Sequence, residues 1–220
     1  SVLTNNGISI QEGGVATLNS SMLSATIPHS IDTDLTFTIF DMQQAYFSRV
    51  NDANTAITSF TQADVAATRI QLIHDGGEIA PSFAVQFSDG QLSSDTIAAN
   101  ISFIPVNDAP TFTNHAIAIQ EDGTLVLTTD ILSAADPDSA ATDLTFSAVD
   151  VQQAYFSRTN DTNTAITSFT QADIAAGQVQ VTHDGGEIAP SFAMQVSDGQ
   201  LSSDVVAANV SFTLVNDAPT

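Results

Sequence analysis

Apolar and polar residues alternate in short runs along most of this chain. In Leu35-Thr-Phe-Thr-Ile39 every second side chain is apolar, the signature of a strand buried on one face. The same period of two appears at Phe83-Ala-Val-Gln-Phe87 and over Ile97–Phe103. It recurs at Leu144–Phe146, Phe192–Val196 and Val206–Phe212. Asp75-Gly-Gly, Asp89-Gly and Asp184-Gly-Gly punctuate the runs as turns. One segment departs from the strand period. Thr61-Gln-Ala-Asp64 has the spacing of a helix capping box, with Asp in the place of Glu, and Val65-Ala-Ala follows it. Its later counterpart stops at Gly177, placed as a glycine just past a helix end. The pattern predicts an all-β chain with one short helix per copy.

There are two copies because the sequence matches itself at a shift of 109 residues. Gln43–Phe83 aligns with Gln152–Phe192 without a gap, and 8 of the 41 positions differ. Val106–Thr111 returns unchanged as Val215–Thr220. The expected domains are residues 1–109 and 110–220, each of a size that suits a small β-sandwich. Their boundary, Val106-Asn-Asp-Ala-Pro-Thr111, is short and is not a Gly/Ser tether. Successive copies are therefore expected end to end, with Pro110 stiffening the exit.

Charge changes the picture more than overall composition does. The chain has 25 acids against 3 bases, a net charge of -22. Residues 1–109 carry 11 acids and 2 arginines, giving -9; residues 110–220 carry 14 and 1, giving -13. Such a surface repels nucleic acid and anionic lipid, attracts cations, and destabilises its own compact state until something neutralises it. The regular spacing of Phe, Ile, Val and Leu argues against disorder as the explanation. With no cysteine there is no disulfide clamp. No apolar run is long enough to cross a bilayer, and no signal peptide opens the chain, which reads as an excerpt from a longer protein.

Most acids stand singly at strand ends and turns, where Asp and Asn are favoured for their backbone hydrogen bonds alone. As a set they also form a plausible ligand supply. Asp136-Pro-Asp138 spaces two carboxylates by two residues, and Asn107-Asp108 places two oxygen ligands in the linker. Hard oxygens without His or Cys beside them suit calcium over zinc or copper. No single turn supplies the 6–8 oxygens calcium prefers, so several loops would have to contribute.

Asn107-Asp-Ala-Pro110 resembles the linker of cadherin and cadherin-like repeats. His74-Asp-Gly-Gly-Glu-Ile-Ala-Pro-Ser-Phe83, followed by Ser88-Asp-Gly-Gln-Leu-Ser-Ser94, is similar to the chondroitin sulphate proteoglycan repeat found in giant bacterial surface proteins. The resemblance covers the chain twice. It implies cadherin-like, immunoglobulin-like Greek-key sandwiches with calcium (Ca2+) between successive domains. The ligands it implies are Glu12, then Asp75 and Glu78, then Asn107 and Asp108 with the Ala109 carbonyl, then Asp136, Asp138 and Asp198. The family spaces its acidic pair as Asp-x-Glu, whereas here it is Asp-x-x-Glu, so one of Asp75 and Glu78 is expected to fall short. Glu121, Asp184, Glu187, Asn216 and Asp217 form the matching set in the second copy. The first copy keeps Asp89 but has Ile27-Pro-His29 in place of Asp136-Pro-Asp138, with Asp32 or Asp34 as substitutes, so its upstream set is expected to be degenerate.

His74 with Asp75 and Glu78, repeated as His183 with Asp184 and Glu187, has the residue types of an acid–base site. The Asp-Gly-Gly turn accounts for them without chemistry, and no nucleophile elbow, zinc helix or phosphate loop accompanies them. Tyr46-Phe47 with Arg49, and Tyr155-Phe156 with Arg158, fit either a sugar-stacking platform or a buried Phe beside an internal ion pair. Two functions stay open: a calcium-stiffened extracellular rod of a cell-surface adhesin, or a carbohydrate- or ligand-binding module of a secreted protein. The partners expected are neighbouring repeats, a like copy or a surface ligand, and neither nucleic acid nor membrane.

Overall fold

The computed structural model describes residues 2–28 and 35–216. The chain divides into two compact units, Ser1–Val106 and Asn107–Thr220. Asn107 and Asp108 thus belong with the second unit. His29, Asp32, Asp34 and Asp217 lie outside the described residues.

In the first unit, one antiparallel sheet runs Val15–Thr17, Ile70–His74, Ala45–Arg49, Asp52–Ile57. A second runs Ile97–Ala98, Ser82–Ser88, Thr36–Gln43, Ser59–Thr61. Two ribbons complete the sandwich: Val2–Asn6 antiparallel to Leu23–Thr26, and Ile8–Gln11 parallel to Ile101–Ile104. The alternation in the sequence sends Phe37, Phe47, Phe60, Val85, Phe87 and Leu72 into one shared core. The second unit repeats both sheets. Its first strand, Thr111–Gln120, runs unbroken, pairing antiparallel with Leu132–Ala135 and then parallel with Asn209–Thr213. In the first unit Gly7 interrupts the same path.

One expected strand is two. Ile97–Phe103 alternates without a break, yet Ile97–Ala98 pairs with Ala84 and Val85 while Ile101–Ile104 pairs with Ile8–Gln11. The chain changes sheets at Ala99–Asn100. The Asn6 side chain holds that change by donating to the Ala98 carbonyl at 2.9 Å and accepting the Asn100 N–H at 3.3 Å. Periodicity reports which face is buried and not which strand is the neighbour, so it cannot see such a switch. The second unit breaks likewise into Val206–Ala207 and Asn209–Thr213.

The short helices form where the capping boxes predict them. In α1 (Gln62–Ala66), Thr61 accepts the Asp64 N–H and the Asp64 carboxylate accepts the Thr61 N–H. In α2 (Gln171–Ala175), Thr170 and Asp173 do the same. Gln62, the first residue of α1, is buried and uses its amide as a piece of strand. Its Oε1 accepts the Ala25 N–H at 2.7 Å and its Nε2 donates to the Ala25 carbonyl at 3.0 Å. Gln171 grips Ala134 in the same way. Past the helix, Gly177 takes a left-handed φ of 64°, while Thr68 holds 53° at the equivalent place. A β-branched residue pays strain there that glycine does not. A 3-10 turn, Ala141–Asp143, precedes the strand Thr145–Gln152 of the second unit.

Candidate metal centre

In the first unit the turn after Ile8–Gln11 and the loop after Ile70–His74 bring two carboxylates together. Glu12 follows the strand directly, and its N–H donates to the Ile104 carbonyl. Its side chain turns inward, is 9% exposed, and accepts the Val106 N–H on Oε2 at 2.9 Å. A carboxylate oxygen of exposed Glu78 comes within 4.8 Å of one from Glu12. Asp75 does not join them. Its Oδ1 accepts the Gly77 N–H at 3.0 Å, closing the turn in which Gly76 takes a φ of 88°.

His74 ends its strand between those two segments, buried at 3% exposure. Its Nδ1 accepts the N–H of Gly13 at 3.1 Å and of Gly76 at 3.2 Å. With two donors on Nδ1, the ring hydrogen sits on Nε2, which donates to the Ile79 carbonyl at 2.9 Å. The ring packs on Phe103 with centroids 4.9 Å apart. Both ring nitrogens are thus engaged with main chain and the ring is enclosed, an arrangement that offers no free nitrogen to a substrate.

The second unit gathers the other expected residues around its first three positions. The Asn107 amide donates to Asp198 Oδ2 at 2.7 Å, and the Asn107 oxygen accepts from Gln200 Nε2 at 3.2 Å. That donation, reinforced by the N–H groups of Gln200 and Leu201, holds the Asp198 carboxyl below the usual carboxylate range. The Asp108 N–H donates to Asp138 Oδ2 at 2.8 Å. Asp136 Oδ1 accepts the N–H groups of Asp138 and Ser139 at 2.9 and 2.7 Å. Asp136 Oδ2 is buried with no hydrogen-bond partner. A buried carboxylate oxygen left without a donor is costly unless a cation serves it. In the first unit the equivalent of Asp136 is Ile27, part of the apolar core.

The downstream residues of the second unit copy the first. Glu121 is 3% exposed and accepts the Val215 N–H at 2.9 Å, and Asp184 closes its own turn on Gly186. His183 accepts from Asp122 and Gly185 and donates to Ile188. Sequence reasoning missed the histidine clasp, and it named Glu12 and Glu121 but missed that their side chains turn inward. Its signal was present, since Gln-Glu-Gly and Gln-Glu-Asp-Gly precede the first internal turn of each copy.

The three bases are all used elsewhere. Arg49 and Arg69 both approach Asp64, at 3.3 and 3.7 Å, and Arg158 meets Asp173 at 2.6 Å. Arg158 holds the Asp173 carboxyl down to about 2. Burial pushes Asp64 up, but the hydrogen bonds from Arg49 and Thr61 outweigh it and leave the group below its ordinary value. The repeated arginine position is therefore an internal ion pair locking each capping box to the strand beside it, with Phe47 and Phe156 buried behind.

A family model described as cadherin-like matches residues 1–103 and 110–212. Extracellular matrix protein 3 of Lytechinus variegatus is 31% identical over 201 residues, which is 86% of this chain and 6% of that protein. FRAS1-related extracellular matrix protein 2 of Homo sapiens is 30% identical over 198 residues, 88% and 6% of the two chains. Chondroitin sulfate proteoglycan 4 of Mus musculus is 26% identical over 203 residues, 89% and 9%. The chain thus spans less than a tenth of the length of these relatives. Among solved structures, human mucin-like protocadherin EC1-2 superposes with a TM-score of 0.52 at 14% identity, covering 97% of both chains, a likeness of fold. The relatives are extracellular matrix and cell-surface proteins, and this chain is an extracellular repeat module. Among the described residues no helix is long and apolar enough to cross a membrane.

Proposed function

Because this chain belongs to the cadherin-like family, we propose that it is a calcium-binding spacer, one stiffening segment of a large cell-surface adhesin. The observation that carries the reading is Glu12 beside Glu78: two carboxylates within 4.8 Å, one of them largely buried, in a chain whose three arginines pair with other acids. Two like charges so placed repel. A bound cation would offset that repulsion.

The residues fit calcium by chemistry. Every donor is a hard oxygen, and Asp136 Oδ2 is a buried one without a partner. Glu12 and Glu78 are the proposed ligands in the first unit, with Asp75 closing the turn that carries Glu78. Asn107, Asp108, Asp136, Asp138 and Asp198 are those in the second. Bound calcium would supply positive charge that makes these carboxylates mutually attractive. The chain's own part is to orient them: main-chain N–H groups fix one oxygen each of Glu12, Asp136 and Asp198. Extracellular modules bind at roughly 10⁻⁴–10⁻³ M.

A catalytic reading has less support, since the His74 nitrogens are both spent on main chain. The carbohydrate-binding alternative loses its arginines to Asp64 and Asp173. The relatives are animal matrix proteins and give no support to a bacterial source, so the proposal concerns the module and not its origin.

Calorimetry tests it. The melting temperature should rise when EDTA is replaced by millimolar calcium, because ligand binding to the folded state stabilises by mass action. The double substitution Asp108→Ala with Asp138→Ala should remove most of that rise. An unchanged melting temperature in the unsubstituted protein would leave the acids as turn residues and surface charge only.

A further inference from the structure

His74 bonds to both turns that carry Glu12 and Glu78. Its Nδ1 holds the N–H of Gly13, the residue after Glu12. The same atom holds Gly76, and Nε2–H holds the carbonyl of Ile79, the residue after Glu78. Its main-chain N–H donates to the Gly14 carbonyl at 3.0 Å, so both the ring and the backbone of one residue grip the same turn. Between them the imidazole bonds span 61 residues of sequence to the Glu12 turn and 5 to the Glu78 loop.

We propose that His74 is a positioning residue for the cation. Resting on the calcium reading above, the inference assigns the imidazole a task no ligand performs: it holds two mutually repelling carboxylates at metal-binding separation before the metal arrives. Free of that clasp, repulsion between Glu12 and Glu78 would favour opening of the 75–80 loop, which is exposed along its length. Each binding event would then have to reorder the loop, and the affinity would fall by the corresponding factor. Partners behind a metal ligand are worth about 10–100-fold in affinity.

The geometry also explains why histidine suits the task. The position must accept two N–H groups on one side and donate to a carbonyl on the other while filling a flat slot against Phe103. A neutral imidazole has one acceptor and one donor nitrogen on opposite parts of a planar ring. Asn retains the acceptor but is too short to reach Ile79, and Phe retains the shape with neither bond. The second copy uses the same residue type at His183, but its first bond, to Asp122, is longer at 3.4 Å.

The test is calcium titration of the whole chain by isothermal calorimetry, with His74→Phe, His74→Asn and a destabilised control, Phe60→Leu, in the core of the same unit. His74→Phe should bind calcium about 10–100-fold more weakly at the Glu12 site, identified as the binding lost in Glu12→Gln. His74→Asn should recover part of the loss, and Phe60→Leu should lower the melting temperature while leaving affinity unchanged. Amide exchange in EDTA provides a readout that needs no calcium: the Gly13 and Gly76 N–H groups should lose protection in His74→Phe. Full affinity in His74→Phe, or a loss of equal size in Phe60→Leu, overturns the positioning role. No calcium binding by the unsubstituted chain overturns the calcium reading and the inference with it, whereas unaltered protection of Gly13 and Gly76 in His74→Phe sinks the clasp alone.

Discussion

The two repeats reach one core by different substitutions. In the first, Phe37 is flanked by Phe60 at 5.9 Å and Phe87 at 6.3 Å. In the second, Phe87 is replaced by Val196, and the third ring is Phe112, 5.9 Å from Phe146, where the first repeat has Leu3. Met194 takes the place of Val85. Apolar bulk lost at one core position is added at another. That is what close packing demands, since a lost ring must be refilled by some neighbour. The capping box and the glutamine grip on the neighbouring strand keep the same residues in both, because hydrogen bonds depend on direction as well as space.

Phe87→Val is expected to have the largest effect. Alone it should destabilise the first unit by about 2–4 kcal/mol through the cavity it leaves. Adding Leu3→Phe should recover part of that cost, and a double-mutant cycle by urea unfolding measures the coupling. Strict additivity would mean the two ring positions do not share a space.

A smaller contrast concerns one pair of serines. Ser48 Oγ accepts from the buried Gln71 amide at 3.1 Å, whereas Ser157 Oγ is buried without a partner. Ser48→Ala should therefore cost about 1–3 kcal/mol by stranding Gln71, and Ser157→Ala should be neutral or slightly stabilising. Nothing in the flanking residues explains why the second hydroxyl is unmet. Equal effects in thermal unfolding would erase the distinction.

The smallest expected effect lies in the arginine locks. The Asp173 carboxyl is depressed in the folded state to about 2 from 3.8. A depressed folded value means the stabilisation is fully present above the unfolded value and is lost as pH falls from about 4 through 2. Arg158 is 35% exposed, so screening reduces the contribution to about 1 kcal/mol. Asp173→Asn should flatten this acid limb for the second unit. In the first unit, where Arg49 and Arg69 share Asp64 at longer distances, Arg69→Ala should change little.

These contrasts mark how far the sequence could be read. Leu35–Ile39 and Phe83–Phe87 announced their strands because one face of each is buried and one is not. Thr61 and Asp64 announced a helix start because the capping box is local. Ile97–Phe103 misled because its alternation continues unbroken across a change of partner. The closeness of Asp136 and Asp138 was legible from their spacing, but the approach of Glu78 and not Asp75 to Glu12 was not.

What the sequence by itself determined was the repeat, the all-β class, the short helix and the surplus of hard oxygen donors, since each follows from local spacing or simple composition. Only the tertiary structure decided that Glu12 turns inward, that Asp75 is spent on its own turn, that the arginines close on Asp64 and Asp173, and that His74 clasps two distant turns. Those outcomes depend on directions fixed by strands far apart in the chain, and hydrophobic period carries no information about them.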